Sequence, residues 1–432
     1  AMGAYGIGQD QAQWMATGFL ASMSATMVLS SWLIEVLGQR ITFIVALSVF
    51  SIGCFISATA PNIDIMILGR VMQGAATGIG QPLAMFSIFG VFPPERRGMA
   101  LGIYGLVSVL APTIGPILGG IAIDTMSWRY LFFMPLPLCL PAFMLGLIFM
   151  PGKKLAKKLP PFDWIGMVLV CFILFSTLSG LANGPRWGWG SDTIVLRLLA
   201  GAVALVVFIL WELRASYPLL DLSLFQNRQF SLTMIASFVF GAGMFSSSYF
   251  IPVFVQVIQH YSPTQAGFLL APSGLVMMLF FPLAGRITDS VPAHVPIAVG
   301  LLVFSIGFFL TQAVDVNTTF WALVAYTAIN RVGLSLAIPS LSAAALRAVP
   351  ANKLARGASS STFFRDLGGG FGIALLTAFF EHRTQFHGQA FTATQTSSNA
   401  TTLELLNGVQ GMMAASGIPD STQAATALHY LS

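Results

Sequence analysis

The chain has 432 residues, 56% of them hydrophobic and 8% charged, with a formal net charge of +5. Soluble domains carry about 25% charged residues, so this composition excludes a water-soluble fold of this length. The basic residues sit in short clusters between apolar blocks, without a basic stripe interleaved with aromatics, which excludes nucleic acid as a partner and makes membrane lipid the solvent.

The apolar blocks run about 20 residues, the length that crosses roughly 30 Å of hydrocarbon. A segment in lipid must satisfy its own backbone groups, so such blocks are helices. In chain order the sequence predicts spans near 14–37, 41–60, 66–90, 99–122, 129–150, 164–183, 195–212, 231–258, 266–285, 295–314, 318–345 and 358–380. The fold class expected is all-α, a polytopic membrane protein. Trp187 and Trp189 beside Arg186 resemble an interfacial belt.

Lys and Arg in short loops set orientation. One set of alternate loops holds Arg40, Arg96, Arg97, Lys153, Lys154, Lys157, Lys158, Arg214, Arg228, Arg286, Arg347, Lys353 and Arg356, 13 of the 20 basic residues. The opposite loops hold only Arg129, Arg186 and Arg383. The first set is therefore cytoplasmic. Residues 1–12 and the tail after about 381 then both fall outside, and one further span at each end is expected beyond this chain. The tail, rich in Thr, Ser, Gln and Ala, reads as an extracytoplasmic loop.

Several motifs recur at informative places. Ser31 to Arg40 contains Glu35, Gly38 and Arg40, and Gly285-Arg286-Ile287-Thr288-Asp289 echoes it in the second half of the chain. Small residues in a tight turn permit close helix approach. An acid and a base there form a charge lock that holds one conformation and breaks in another; the alternative is a topogenic role only. Arg70, Gln73 and Gly74 follow in a span, where an Arg either faces a cavity or reaches for the outer surface. Gly105, Pro112, Gly115, Pro116, Gly119 and Gly120 form a run of helix-bending prolines and close-packing glycines.

These motifs resemble the signature loop, fourth-span and antiporter motifs of the major facilitator superfamily. Ser31 stands for the loop's first Gly, Glu35 for its Asp and Gln39 for a basic residue. Asp124 to Phe133 with Pro137, Phe162 to Gly166, Pro218 to Leu222 and Tyr261 to Thr264 are similar to the fourteen-span drug:proton antiporters of the EmrB/QacA type. That resemblance implies two six-helix bundles with two inserted spans. It divides the chain into an N-terminal bundle at 1–150, an inserted pair with cytoplasmic linkers at 151–229, a C-terminal bundle at 230–381 and an outer loop at 382–432. It also implies proton-driven export of small hydrophobic drugs across a bacterial inner membrane, with a periplasmic adaptor and an outer-membrane channel as partners. Export or symport of one metabolite on the same fold is the alternative.

Proton coupling calls for a membrane-embedded carboxylate. All 15 acids read as loop or span-end residues. Asp366 beside Arg365 is the best remaining candidate, against a local ion pair near the cytoplasmic end. Arg331 is read as either cavity-facing or snorkelling. Gln73, Met244, Tyr249, Gln256 and Asn330 are candidates to line a substrate cavity, which is expected to lack a buried carboxylate. Cys54, Cys139 and Cys171 lie in apolar blocks, the five histidines are scattered, and no phosphate-binding loop occurs. No metal or cofactor is expected, and neither an enzyme nor an ATP-driven pump. Reporter tags at residue 155 and beside Trp187 are expected in opposite compartments, the first cytoplasmic, by enzymatic tag assays in whole cells.

Overall fold

A computed structural model describes residues 9–152 and 161–394. Within them, the side chains of residues 9–13, 16–17, 109–113, 116–117, 120, 123–124, 182, 185–186, 263 and 390–394 lie outside the description. The described chain is helical in order: α1 (Gln9–Thr59), α2 (Ile63–Val91), α3 (Arg97–Thr125), α4 (Tyr130–Phe133), α5 (Leu136–Phe149), α6 (Trp164–Trp187), α7 (Asp192–Glu212), α8 (Arg228–Val257), α9 (Pro263–Ser290), α10 (His294–Leu310), α11 (Phe320–Arg347) and α12 (Leu354–Thr394).

Among the described residues ten helices are long and apolar enough to cross a membrane. The first, Gly18–Thr59, supplies two of the expected spans. Gly38 breaks it at φ 75°, ψ 171°, and the Thr42 hydroxyl donates to the Leu33 carbonyl at 3.1 Å. Nine residues of straight helix would hold those groups about 13 Å apart, so α1 is two antiparallel arms joined at the glycine. Helix α3, 29 residues long, occupies the span expected at 99–122. The span expected at 129–150 is interrupted between α4 and α5, where Pro135 removes a backbone donor. Helix α12 passes the expected end at 380 and continues to Thr394. Residues 381–387 hold neither Gly nor Pro to stop it, and residues 381–389 are exposed. The remainder of the expected outer loop lies outside the described residues.

Helix ends are tied by side chains. Asn62 accepts from the Ile65 amide, Asp163 from Gly166 and Asn227 from Gln229, and Ser262 with Gln265 forms a capping box. Large apolar side chains point outward, as lipid requires: Phe149 is 76% exposed and Leu279 77%.

Helices in lipid gain no hydrophobic drive from meeting each other, so crossings rely on close backbone approach. A Cβ on Gly74 or Gly78 of α2 would strike the Phe19 or Met23 carbonyl of α1. A Cβ on Gly300 of α10 would lie 2.9 Å from the Gly333 carbonyl of α11. On α12, a Cβ on Gly368 would strike the Phe238 carbonyl of α8. The α6–α7 pair leans on both neighbours: Val170, Leu174 and Phe208 share a buried cluster with Met23, Met27 and Val28 of α1 and Phe363 of α12.

The Gly38 backbone lies in a region open essentially to glycine alone, at a cost of about 1–3 kcal/mol for other residues. Gly38→Ala is expected to lower the apparent Tm of the detergent-purified protein, measured by intrinsic fluorescence.

Candidate functional site

The site begins on α12. Arg365 lies eleven residues past the start of the helix at Leu354, about 16 Å along it at 1.5 Å per residue. Glycines admit this depth of α12 close to α8: a Cβ on Gly241 would strike the Arg365 carbonyl, and one on Gly369 the Phe245 ring. Arg365 Nε donates to Asp366 Oδ1 at 3.0 Å, and its Nη2 donates at 2.6 Å to Gln81 Oε1 of α2. The Asp366 side chain is 1% exposed, and its Oδ2 has no hydrogen-bond partner among the described residues.

These groups open into a cavity of about 790 Å³, a volume in the range of drug-sized ligand sites. Its walls come from α2 (Gln81), α3 (Tyr104, Gly105, Ser108, Gly115), α8 (Met244, Phe245, Ser248, Pro252), α9 (Leu270, Ser273, Gly274, Met277, Phe281), α11 (Arg331, Leu334, Ile338) and α12 (Arg365, Asp366). Arg331 Nη1 donates to Ser248 Oγ at 3.1 Å.

Below the cavity, towards the loops that carry the basic clusters, the helices close. A Cβ on Gly105 would strike the Phe281 ring, and one on Gly102 would lie 2.6 Å from the Phe281 carbonyl. Farther down, a Cβ on Gly285 would lie 2.6 Å from the Gly98 carbonyl. Asp289 accepts from the Gly98 amide at 2.7 Å and the Met99 amide at 2.9 Å, and pairs with Arg347 at 3.2 Å. A carboxylate from α9 thereby caps the α3 N-terminus, where unpaired amides and the helix dipole favour an anion. Met85, Phe89 and Leu101 pack with Ala343, Leu346 and Ala358 beside it. Ser30 meets Ser359 at 2.8 Å.

A second polar latch lies at the same end. Arg356 of α12 pairs with Glu35 of α1 at 3.2 Å and with Asp221 at 3.3 Å, and Lys353 pairs with Asp221 at 2.7 Å. Towards the opposite end the lining reaches Pro252, five residues from the end of α8, and Leu270, seven residues from the start of α9. The cavity is closed at the basic-loop end.

Several sequence expectations meet different partners. Glu35 pairs with Arg356, and the Arg40 Nε donates instead to the Met150 carbonyl at 2.8 Å; the turn at Gly38 sends Arg40 towards α5. Gly285 and Asp289 face α3 directly. Arg70 lies away from the cavity lining. It stands 4.3 Å over the Phe19 ring and donates to Gln73 at 2.8 Å, while Gln73 donates to the Gly53 carbonyl and the Ser57 hydroxyl. Gly74 abuts Phe19. In the antiporter motif Gly105 and Gly115 line the cavity, and Gly119 would place a Cβ 3.4 Å from Leu131. Pro112, Pro116 and Gly120 sit on α3 outside the described side chains.

Of the five residues proposed for the cavity wall, Met244 lines it. Asn330 donates to the Phe304 carbonyl at 3.3 Å, where α10 crosses α11. Tyr249 is exposed, and Gln256 turns back to the Pro252 carbonyl. The expectation of a cavity without a buried carboxylate is corrected: Asp366 lies in it, its charge opposed by Arg365. Sequence reading missed Asp221, Arg356 and Gln81 as contact-making groups. Asp221 had a signal, an acid inside the Pro218–Leu222 motif; Arg356 was submerged in the count of orienting charges.

A helical membrane bundle around a pocket closed at one end fits a membrane transporter. The family model of the Major Facilitator Superfamily matches residues 1–373, and the chain belongs to that superfamily. It is 29% identical to YhcA, an MFS-type transporter of Bacillus subtilis, over 89% of this chain and 72% of that one. It is 27% identical to the multidrug export protein EmrB of Haemophilus influenzae, over 89% and 76%. The human organic anion transporter MFSD10 (TETRAN) shares the fold, with a TM-score of 0.62 at 14% identity over 85% of this chain and 78% of that one.

Burial alone would raise the Asp221 carboxyl, but hydrogen bonds from Lys353 and Ser223 and the charges of Lys353 and Arg356 outweigh it and hold the group below its ordinary value. A depressed folded pKa stabilises above the unfolded value of about 4 and loses that contribution as pH falls through the folded value. The Tm difference between wild type and Asp221→Asn is therefore expected to stay constant from pH 7 to about 5 and to shrink below about 4, by thermal unfolding in detergent.

Proposed function

We propose that this transporter exports hydrophobic and amphipathic compounds across a bacterial inner membrane in exchange for protons, by alternating access. The observation that carries the reading is the cavity of about 790 Å³ with its buried Asp366, open at one end and latched at the other. The names of relatives such as EmrB support export as the direction.

In the state described, the pocket faces outward. A proton arriving from outside binds the unpartnered Asp366 Oδ2. Neutral Asp366 no longer holds the Arg365 guanidinium, whose link to Gln81 joins α12 to α2. The two bundles then rock about the glycine-lined α3–α9 contact, and the Arg356–Glu35 pair and the Asp289 cap of α3 part. A compound enters from the cytoplasmic side, the proton leaves Asp366 to the cytoplasm, the Arg365–Asp366 pair re-forms, and the latches close beneath the cargo. One proton enters for each outward passage through this site. The chain's resemblance to the EmrB branch adds a periplasmic adaptor and an outer-membrane channel as partners.

In everted vesicles, energisation is expected to concentrate a hydrophobic dye inward, and Asp366→Asn is expected to reduce that uptake to the level of vesicles lacking the protein. A protein that leaks dye down its gradient equally well with or without a proton gradient, in both forms, would overturn the reading.

A further inference from the structure

The charges lining the cavity do not balance. Its ionisable lining groups comprise two guanidiniums, Arg331 and Arg365, one carboxylate, Asp366, and the neutral phenol of Tyr104. The Asp366 carboxylate is held by Arg365 at 3.0 Å. Arg331 makes a hydrogen bond to a neutral hydroxyl, Ser248, at 3.1 Å, and no ion pair among the described residues. A guanidinium carries five donors in a planar fork shaped for a carboxylate, sulfonate or phosphate. In the low dielectric of a membrane protein, such a cation facing a cavity marks a path for a charged ligand.

Arg331 lies sixteen residues from the inner end of α11 at Arg347, about 24 Å along the helix. Arg365 lies about 16 Å along α12 from the same end. Between and around them the wall is apolar, with Met244, Phe245, Met277, Leu334 and Ile338. A ligand lying along this wall meets sulfur and aromatic carbon over most of its length and an unneutralised cation at its outer end.

The geometry points to Arg331 as an anion-recognition residue: the cavity selects amphipaths that carry one acidic group, seating that group on Arg331 and the apolar body on the methionine-lined wall. This rests on the export reading above and names the class of compound that the same pocket takes. Ser248 holds the fork in place until the ligand arrives. The acidic group has two sources, a dissolved amphipath or the headgroup of an anionic lipid reaching into the pocket, and the chemistry at Arg331 is the same for both.

The test uses the full chain in phosphatidylcholine nanodiscs, with 8-anilinonaphthalene-1-sulfonate as the anionic probe and ethidium as the cationic one, each followed by fluorescence titration against empty discs. Wild type is expected to bind the sulfonate more tightly than ethidium. Arg331→Gln is expected to weaken sulfonate binding about tenfold or more, the scale of one hydrogen bond to a charged group. Arg331→Lys, which keeps the charge and loses the fork, falls between and tests the idea even if the Gln variant unfolds. Adding phosphatidylglycerol separates the sources. A loss of sulfonate affinity that needs Arg331 assigns the site to lipid headgroups, and no change assigns it to the dissolved amphipath; either result keeps the anion site. Equal sulfonate affinity in wild type and both variants, or tighter ethidium than sulfonate binding in wild type, overturns it. Energised dye uptake in everted vesicles is scored separately, so an active exporter without anion preference is distinguished from a protein that exports nothing.

Discussion

Everything in this molecule depends on how closely α3 and α9 approach. Lipid tails solvate a helix as well as another helix does, so two spans stay together only where backbones meet and polar groups pair. Gly98, Gly102 and Gly285 remove the side chains that would hold the helices apart. Asp289 then reaches the free amides of the α3 N-terminus, which no other group on that helix can satisfy. The close approach and the cap require each other. Without the glycines the carboxylate could not reach; without the carboxylate the end of α3 would be left with orphan donors against a neighbouring helix.

The buried charges follow the same economy. A lone ion in hydrocarbon is expensive, so each described charge in the bundle is matched, tied to backbone or stacked. Arg70 stacks on Phe19 and bonds Gln73; Arg365 holds Asp366. Among the described residues two buried carboxylates keep an unpartnered oxygen, Asp366 Oδ2 and Glu212 Oε1, and Arg331 has a single neutral partner. Of these, Asp366 and Arg331 face the same cavity. Most buried charges serve helix contacts, whereas Asp366 and Arg331 are incompletely answered at the wall of the pocket.

The spans were legible in the sequence because each is a long apolar block bounded by polar residues, and lipid permits few other readings of such a block. The turn at Gly38 was legible as a motif, since the chain reverses there within a few residues. What escaped was the choice of partners. Glu35 sits five residues before Arg40 in sequence, but the reversal at Gly38 carries Arg40 to the Met150 carbonyl and leaves Glu35 facing Arg356. No local pattern encodes a contact made across 321 residues. The depth of Asp366 was not legible either. Depth along α12 depends on where the helix starts, and with Leu354 as its first residue Asp366 lies about 18 Å in. Asn330 and Gln73 were polar residues in apolar spans, a pattern shared by cavity walls and by helix–helix staples. Which one a residue joins depends on the crossing glycines of its neighbours.

The α6–α7 pair joins these contacts at the end that carries the basic loops. Asp163 caps α6 and accepts from the Trp211 indole at 2.9 Å, tying α6 to α7. At the end of α7 the buried Glu212 accepts from the Leu220 amide at 3.3 Å, which fixes the strand of chain that carries Asp221. Asp221 in turn holds Lys353 and Arg356 at the base of α12. Two helices that contribute no side chain to the cavity wall are thus wired, through one short linker, to the latch that closes it. The linker from Glu212 to Arg228 carries the acid that pairs with Arg356. The apolar cluster of Val170, Leu174 and Phe208 holds the same two helices against α1 and α12, so the pair meets the helices of the latch through both a buried apolar contact and a charged linker.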